Sequence, residues 1–182
     1  MMNKLYTLTF PLNDKELDFI ETMSKEIYAC PVRSRGRDFA TIKKSVKNGI
    51  ILEFALERLG AQKNPATFDV TNRESYAWDK LWNGKKTEIK RKKFLHNDST
   101  AYYSWDKPEY VKTFLNNLDI VEQLIVGDYI ELEENYYRVE WMLETKVDRN
   151  FKKYIHKSMY NKGQLYYNHK QDPNCNYLRE YA

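Results

Sequence analysis

The stretch SYAWDKLWNGKKTEIKRKK, residues 75–93, decides how this chain folds. At its centre, Asn83-Gly84 suits the positive φ that both central residues of a two-residue type I′ turn require. The flanking residues then read as a hairpin from Ser75 to Lys93. With that turn Trp82 faces Lys85 and, counting outward, Asp79 faces Glu88. Side chains directly opposed on one sheet face have Cβ atoms about 4.5–5.5 Å apart, where like charges repel. Lys90 projects from the same face as Glu88, while Trp78, Trp82 and Ile89 point to the other. Two converging carboxylates make an oxygen-ligand site suited to Mg²⁺, with an ammonium beside them to orient a water or a phosphate. The competing reading is a solvated hairpin whose Lys80, Lys86 and Lys90 neutralise the two acids.

Upstream, Asp38 to Leu59 reads as one long helix stopped by Gly60. At about 100° per residue, Phe39, Ile42, Val46 and Ile50 share a stripe, and Glu53 and Glu57 fall within about 20° of Val46. Acids on a face that should be buried are costly unless paired or metal-bound. At least one of them is therefore expected to point at the Asp79/Glu88 site. The alternative is a helix whose C-terminal half leaves the core, with Leu52, Leu56 and Leu59 taking over another face.

A glutamate-bearing helix, Asp79 in a strand and Glu88-Ile89-Lys90 in the partner strand resemble the core of the PD-(D/E)XK nucleases. Trp78 stands where that motif has proline. The resemblance covers roughly Asp38 to Lys93 and implies a restriction-endonuclease-like fold: α/β, a three-layer α/β/α sandwich around a central mixed sheet. It implies that Asp79, Glu88 and the Ile89 backbone carbonyl bind the metal, Mg²⁺ with Mn²⁺ as a substitute. Lys90 would position or activate the attacking water, and Glu53, preferred to Glu57, would complete the site through a water. The implied activity is metal-dependent DNA endonuclease, of restriction or phage DNA-degradation type, and double-strand cutting would favour a homodimer. The alternative is a non-catalytic nucleic-acid-binding module on the same fold.

The remainder of the chain sets bounds. Its 182 residues suit one domain, with a core over about 38–145 and peripheral elements at either end. Apolar residues at 42% beside charged residues at 31% exclude a disordered chain, and no apolar run is long enough for a membrane span. No leader pattern opens the sequence, and Cys30 and Cys175 read as free thiols, so a cytoplasmic location is expected. A net charge of +4 says little; its distribution says more. One basic cluster holds Arg33, Arg35, Arg37, Lys43, Lys44 and Lys47, and a second holds Lys85, Lys86, Lys90, Arg91, Lys92 and Lys93. From these Arg33, Arg35, Arg37, Lys43, Lys92 and Lys93 are candidate contacts to a DNA backbone. The isolated glycines form no phosphate loop, and His96, His156 and His169 are too scattered for zinc or a triad.

Further elements follow from periodicity. Leu5 to Phe10 reads as a strand, and Asn13 or Asp14 as the cap of a helix carrying Leu17, Ile20 and Ile27. Arg33 to Arg37 reads as a loop and Thr67 to Thr71 as a strand. Asp106 to Glu109 looks like the start of a helix carrying Tyr110 to Leu118. Ile120–Val126, Tyr129–Leu132 and Tyr136–Leu143 read as three strands. Phe151, Tyr154, Ile155, Ser158 and Met159 fit a helical face ending near Gly163, and Gln164–Asn168 reads as a last strand.

Overall fold

A computed structural model describes residues 8–69, 71–91, 102–105, 113–157 and 165–178 of the chain. Strand β1 (Thr9–Pro11) leads into helix α1 (Asp14–Ala29), which opens on a capping box. Asn13 Oδ1 accepts the Glu16 N–H at 3.0 Å, and Glu16 returns the contact to the Asn13 N–H at 2.9 Å. A single helical turn, α2 (Pro31–Ser34), occupies part of the expected Arg33–Arg37 loop, because Pro31 is preorganised for a first helical position. The chain then reverses through Arg35 and Gly36 at φ 50° and 72°. Helix α3 (Phe39–Arg58) starts on Asp38, whose carboxylate accepts the Thr41 N–H at 2.7 Å.

The next elements are β2 (Gln62–Lys63), a 3₁₀ turn at Arg73–Ser75, β3 (Lys80–Trp82) and β4 (Lys85–Arg91). The strand expected over Thr67–Thr71 does not form. Asp69 Oδ1 accepts both the N–H and the hydroxyl of Thr71, at 2.8 and 2.7 Å, and this local turn replaces an extended ladder. The hairpin turn is as expected, with Asn83 and Gly84 at φ 50° and 74° and Trp82 opposite Lys85. Beyond β5 (Tyr102–Trp105) and a helical turn at 113–116, one strand, β6 (Gln123–Glu133), replaces the two expected either side of Gly127. Gly127 lies inside a ladder: a Cβ there would sit 2.7 Å from the Trp141 carbonyl oxygen. Strand β7 (Tyr136–Lys146) follows an Asn135 turn with φ 60°.

Among the described residues the expected C-terminal helix is also replaced. Arg149–Tyr154 forms a 3₁₀ helix, which suits the three-residue spacing of Phe151 and Tyr154, and the chain then extends as β8 (Ile155–Lys157). Strands β9 (Leu165–Asn168) and β10 (Asn176–Tyr177) complete the described elements. Lys92, Lys93, the Leu5 end of the first strand, the Asp106–Glu109 helix start, Ser158, Met159, Gly163 and Gln164 lie outside the described residues.

The fold is mixed α/β. Its main sheet runs β1-β7-β6-β4-β3-β2, with β10 also on β7; β4 and β6 are parallel and the other pairings antiparallel. A smaller antiparallel sheet is ordered β5-β9-β8. Alternation along β6 divides the core. Ile125 and Tyr129 join Ile20, Ile50, Phe54 and Trp82 in a cluster under α1 and α3, while Leu124 and Val126 join Phe114, Trp141, Phe151 and Tyr167 in another. A bulge keeps both clusters apolar: Asp128 pairs with Trp141 but Tyr129 with Val139, so Glu140 is the extra residue and the facing of β7 switches there. Among the described residues no helix is long and apolar enough to cross a membrane.

Candidate active site

Asp79 sits at the point where the loop before β3 becomes strand. Its N–H donates to the Thr87 carbonyl at 2.9 Å, and its Oδ2 accepts the Ile89 N–H at 2.8 Å. The preceding carbonyl, of Trp78, accepts instead from Asn64 Nδ2 at 3.1 Å. Arg73 anchors the same loop, donating to Asn117 Oδ1 at 3.0 Å and Asp119 Oδ1 at 2.6 Å. Asp79 is thus held from both sides, by the strand it faces and by the loop that delivers it.

Glu88 and Lys90, one strand period apart on β4, form a direct ion pair between Oε1 and Nζ. The Glu88 side chain is only 13% exposed. Burial first, and the neighbouring Asp79 charge second, push its carboxyl up to about 8, against the pull of Lys90. Glu53 reaches the same region from α3. Burial and Asp79 push it up to about 7, with Lys80 and Lys90 opposing. Asp79 and Glu88 are thus close enough to interact electrostatically, and Glu53 joins them in the same way, although the regular β3/β4 pairing stops at Lys80 opposite Thr87.

Lys80 is placed otherwise. In place of a solvated counter-ion on the acid face, it is 5% exposed, with Nζ 2.8 Å from Glu53 Oε2 and 3.1 Å from Glu57 Oε1. Burial works against its charge, but the two glutamates outweigh burial and hold its pKa above the ordinary lysine value. Both acids of α3 thus pair with a buried cation, although Glu57 Oε1 makes no hydrogen bond among the described residues, and the helix does not leave the core: Leu52 and Leu56 are buried. The signal was strand alternation, which sets Lys80 on the face of Trp82 and Ile89.

A cleft of about 650 Å³ opens beside Glu88 and Lys90, walled also by Arg91, Asn48, Tyr76 and Phe114. Arg91 belongs to the cleft although its charge is already engaged. Its Nε donates to Asp128 Oδ1 at 2.9 Å, and its guanidinium lies 3.8 Å over the Tyr129 ring centroid. The basic candidates near the N-terminus do not line this cleft. Arg37 donates to the Ser34 and Arg33 carbonyls, both at 3.0 Å, Lys43 pairs with Glu21 at 2.6 Å, and Arg35 is exposed. Arg33 lies over the ring of Phe68 at 5.8 Å. No family model, curated protein or solved structure matches the chain.

Among the described residues no three carboxylate, imidazole or thiolate side chains converge as a ready metal-ligand group. The donor chemistry nevertheless suits a hard divalent cation. Asp79, Glu88 and Glu53 offer only oxygen, and the burial, with the Asp79 charge second to it, that raises Glu53 and Glu88 is a cost such a cation would offset.

Proposed function

We propose that this chain is a divalent-metal-dependent DNA endonuclease, with Asp79 and Glu88 as the metal-binding acids, Lys90 as the cation beside the attacking water and Glu53 as the supporting acid. The observation that carries the reading is the nearness of Asp79, just before β3 and bonded to the Ile89 N–H, to Glu88 on β4, with Lys90 on Glu88 and a cleft alongside. The order of elements supports a restriction-endonuclease-like sandwich: a helix carrying Glu53, the antiparallel strands β2 to β4, a helical turn, then β6 parallel to β4.

When bound, Mg²⁺ or Mn²⁺ would polarise a phosphodiester and stabilise the leaving oxygen. The protein's share is placement. The Ile89 N–H fixes the Asp79 carboxylate, and Lys80 holds Glu53 from the opposite side of the hairpin. Lys90, on the Glu88 side, would hold a water or a phosphate oxygen beside the metal-binding acids.

The test is incubation of the full chain with plasmid and with single-stranded DNA, with and without Mg²⁺. Wild type should cleave only with the metal, and Glu88→Ala and Asp79→Asn should lose about 100-fold or more of the rate. Metal-independent, salt-sensitive binding with no cleavage would select the non-catalytic module instead, a reading favoured by the direct Glu88–Lys90 pair. Equal behaviour of wild type and Glu88→Ala would remove the endonuclease assignment.

A further inference from the structure

Phe68 is 61% exposed on the loop that leads into Asp79. Single exposed apolar residues are ordinary, but this ring has company. The Arg33 guanidinium lies 5.8 Å from its centroid, and the Tyr76 ring packs against it at 6.4 Å with a 58° tilt. Tyr76 in turn lines the cleft of about 650 Å³ that Glu88 and Lys90 share. Exposed Phe68 is thus linked, through Tyr76, to the cleft that Glu88 lines, with Arg33 beside it.

The loop presenting this ring is held in place. Asn64 Nδ2 donates to the Glu74 and Trp78 carbonyls at 2.9 and 3.1 Å, and the Asp69 N–H donates to Ser75 Oγ at 2.8 Å. A ring carried on a loop anchored in this way, and flanked by Arg33 and Tyr76, needs little backbone ordering when a flat ligand stacks on it. Every nucleobase offers such a flat face, but within a duplex the interior base faces are covered by their neighbours. Aromatic stacking beside basic groups thus rewards unpaired bases, with little regard to sequence. The cleft volume lies in the range of small-ligand pockets and takes a short length of single strand rather than a double helix.

We propose that Phe68, with Tyr76 and Arg33, is a stacking platform that feeds unpaired nucleic-acid bases to the cleft of Glu88 and Lys90. The preferred substrate is then a single strand, a frayed end or a flap, in preference to continuous duplex. This rests on the nuclease reading for what happens after binding, though not for the binding itself.

The experiment is fluorescence anisotropy with the full chain in EDTA, comparing a thymidine oligonucleotide of about 12 residues with a blunt duplex. Stacking contributes about 1–3 kcal/mol per base, or roughly 5- to 150-fold in affinity. Phe68→Ala should weaken single-strand binding by about 10-fold and leave duplex binding within about twofold, while Phe68→Trp should preserve both. An unchanged thermal midpoint confirms that the exposed ring was not needed for folding. Equal single-strand affinity in wild type and Phe68→Ala, or equal losses on both ligands, would overturn the platform. Phe68-dependent binding by a chain that cleaves nothing in Mg²⁺ would remove the nuclease reading and keep the platform; cleavage intact without that dependence would do the reverse.

Discussion

Replacing Lys80 by methionine keeps an unbranched side chain of similar length and removes only the ammonium. That group lies 2.8 Å from Glu53 and 3.1 Å from Glu57 in a residue only 5% exposed. Breaking a buried pair from one side leaves uncompensated charge and costs about 3–5 kcal/mol. For a chain of this size, 3 kcal/mol lowers the thermal midpoint by roughly 6–12 °C. The loss should depend on pH in a definite direction. Glu53 already stands at about 7, above its ordinary value of 4.5, so the folded chain holds more proton than the unfolded chain between those limits. Its contribution to stability consequently falls as pH rises through that window, and it is fully unfavourable above about 7. Without Lys80 the raised carboxyl moves further up, and the fall becomes steeper and longer. Thermal unfolding followed by circular dichroism at pH 5 and pH 8 should show a small deficit at pH 5 and the full deficit at pH 8. A deficit equal at the two values, or below about 1 kcal/mol at pH 8, would refute the buried ion-pair argument.

Two further substitutions probe the frame around the site. In Gly127→Ala the new Cβ would lie 2.7 Å from the Trp141 carbonyl oxygen and 2.8 Å from Met142 Cγ. The flexible Met142 can give way but the backbone oxygen cannot, so a loss of about 1–3 kcal/mol is expected in urea unfolding, and wild-type stability would contradict it. Asp172 is buried and accepts from Thr145 Oγ1, from Tyr167 Oη at 2.8 Å and from the Asn174 N–H at 2.9 Å. Asp172→Ala strands these donors and should cost about 3 kcal/mol by the same measurement, with Asp172→Asn costing less; a loss under about 1 kcal/mol would show that they find other partners.

The parts of this molecule legible in the sequence are those fixed by local backbone chemistry. Asn83-Gly84 determines the β3/β4 register as far as Lys80 opposite Thr87. Beyond it the pairing is irregular, since the Asp79 N–H bonds the same Thr87 carbonyl and Trp78, expected on the face of Trp82 and Ile89, packs in the other cluster. Asp38 and Gly60 bound α3 because a cap and a left-handed stop act within a few residues, with Gly60 at φ 99°. The failures are equally physical. Gly127 reads as a break, but here a glycine marks a close approach between strands, which only the β6/β7 pairing reveals. Phe151 and Tyr154 satisfy helical periodicity, yet a three-residue spacing serves a 3₁₀ turn as well. Lys80 is the instructive case. Alternation placed it on the apolar face with Trp82 and Ile89, whereas its charge suggested solvent; the geometry followed alternation because Glu53 and Glu57 arrive from α3 to receive it. The cleft walls at Tyr76 and Phe114 had no local signal, since they meet through long-range packing.

The charge balance of the hairpin makes a final, quantitative demand. Four carboxylates, Glu53, Glu57, Asp79 and Glu88, meet three ammonium groups, Lys80 and Lys90 on the two faces and the more exposed Lys63 at 3.9 Å from Glu57. Arg91 does not alter the balance, because Asp128 engages it. With every group ionised, a negative charge remains, concentrated on the Asp79 and Glu88 side, which a divalent cation would relieve. Without that cation, protons make up part of the difference: Glu53 and Glu88 are held up to about 7 and about 8. Because they interact, the two titrate as a coupled system. A metal that binds these oxygens must therefore displace protons, on the order of one per ion at pH 7 and approaching none by pH 9. Affinity should rise from pH 6 to pH 8 and then level off. Calorimetric titration of the full chain with Mn²⁺ at pH 7, in two buffers of different ionisation enthalpy, reads the released protons directly, and Glu88→Gln should lower both the affinity and the release. Binding heats that do not depend on the buffer, or an affinity flat from pH 6 to pH 8, would mean that the ion does not sit among these carboxylates.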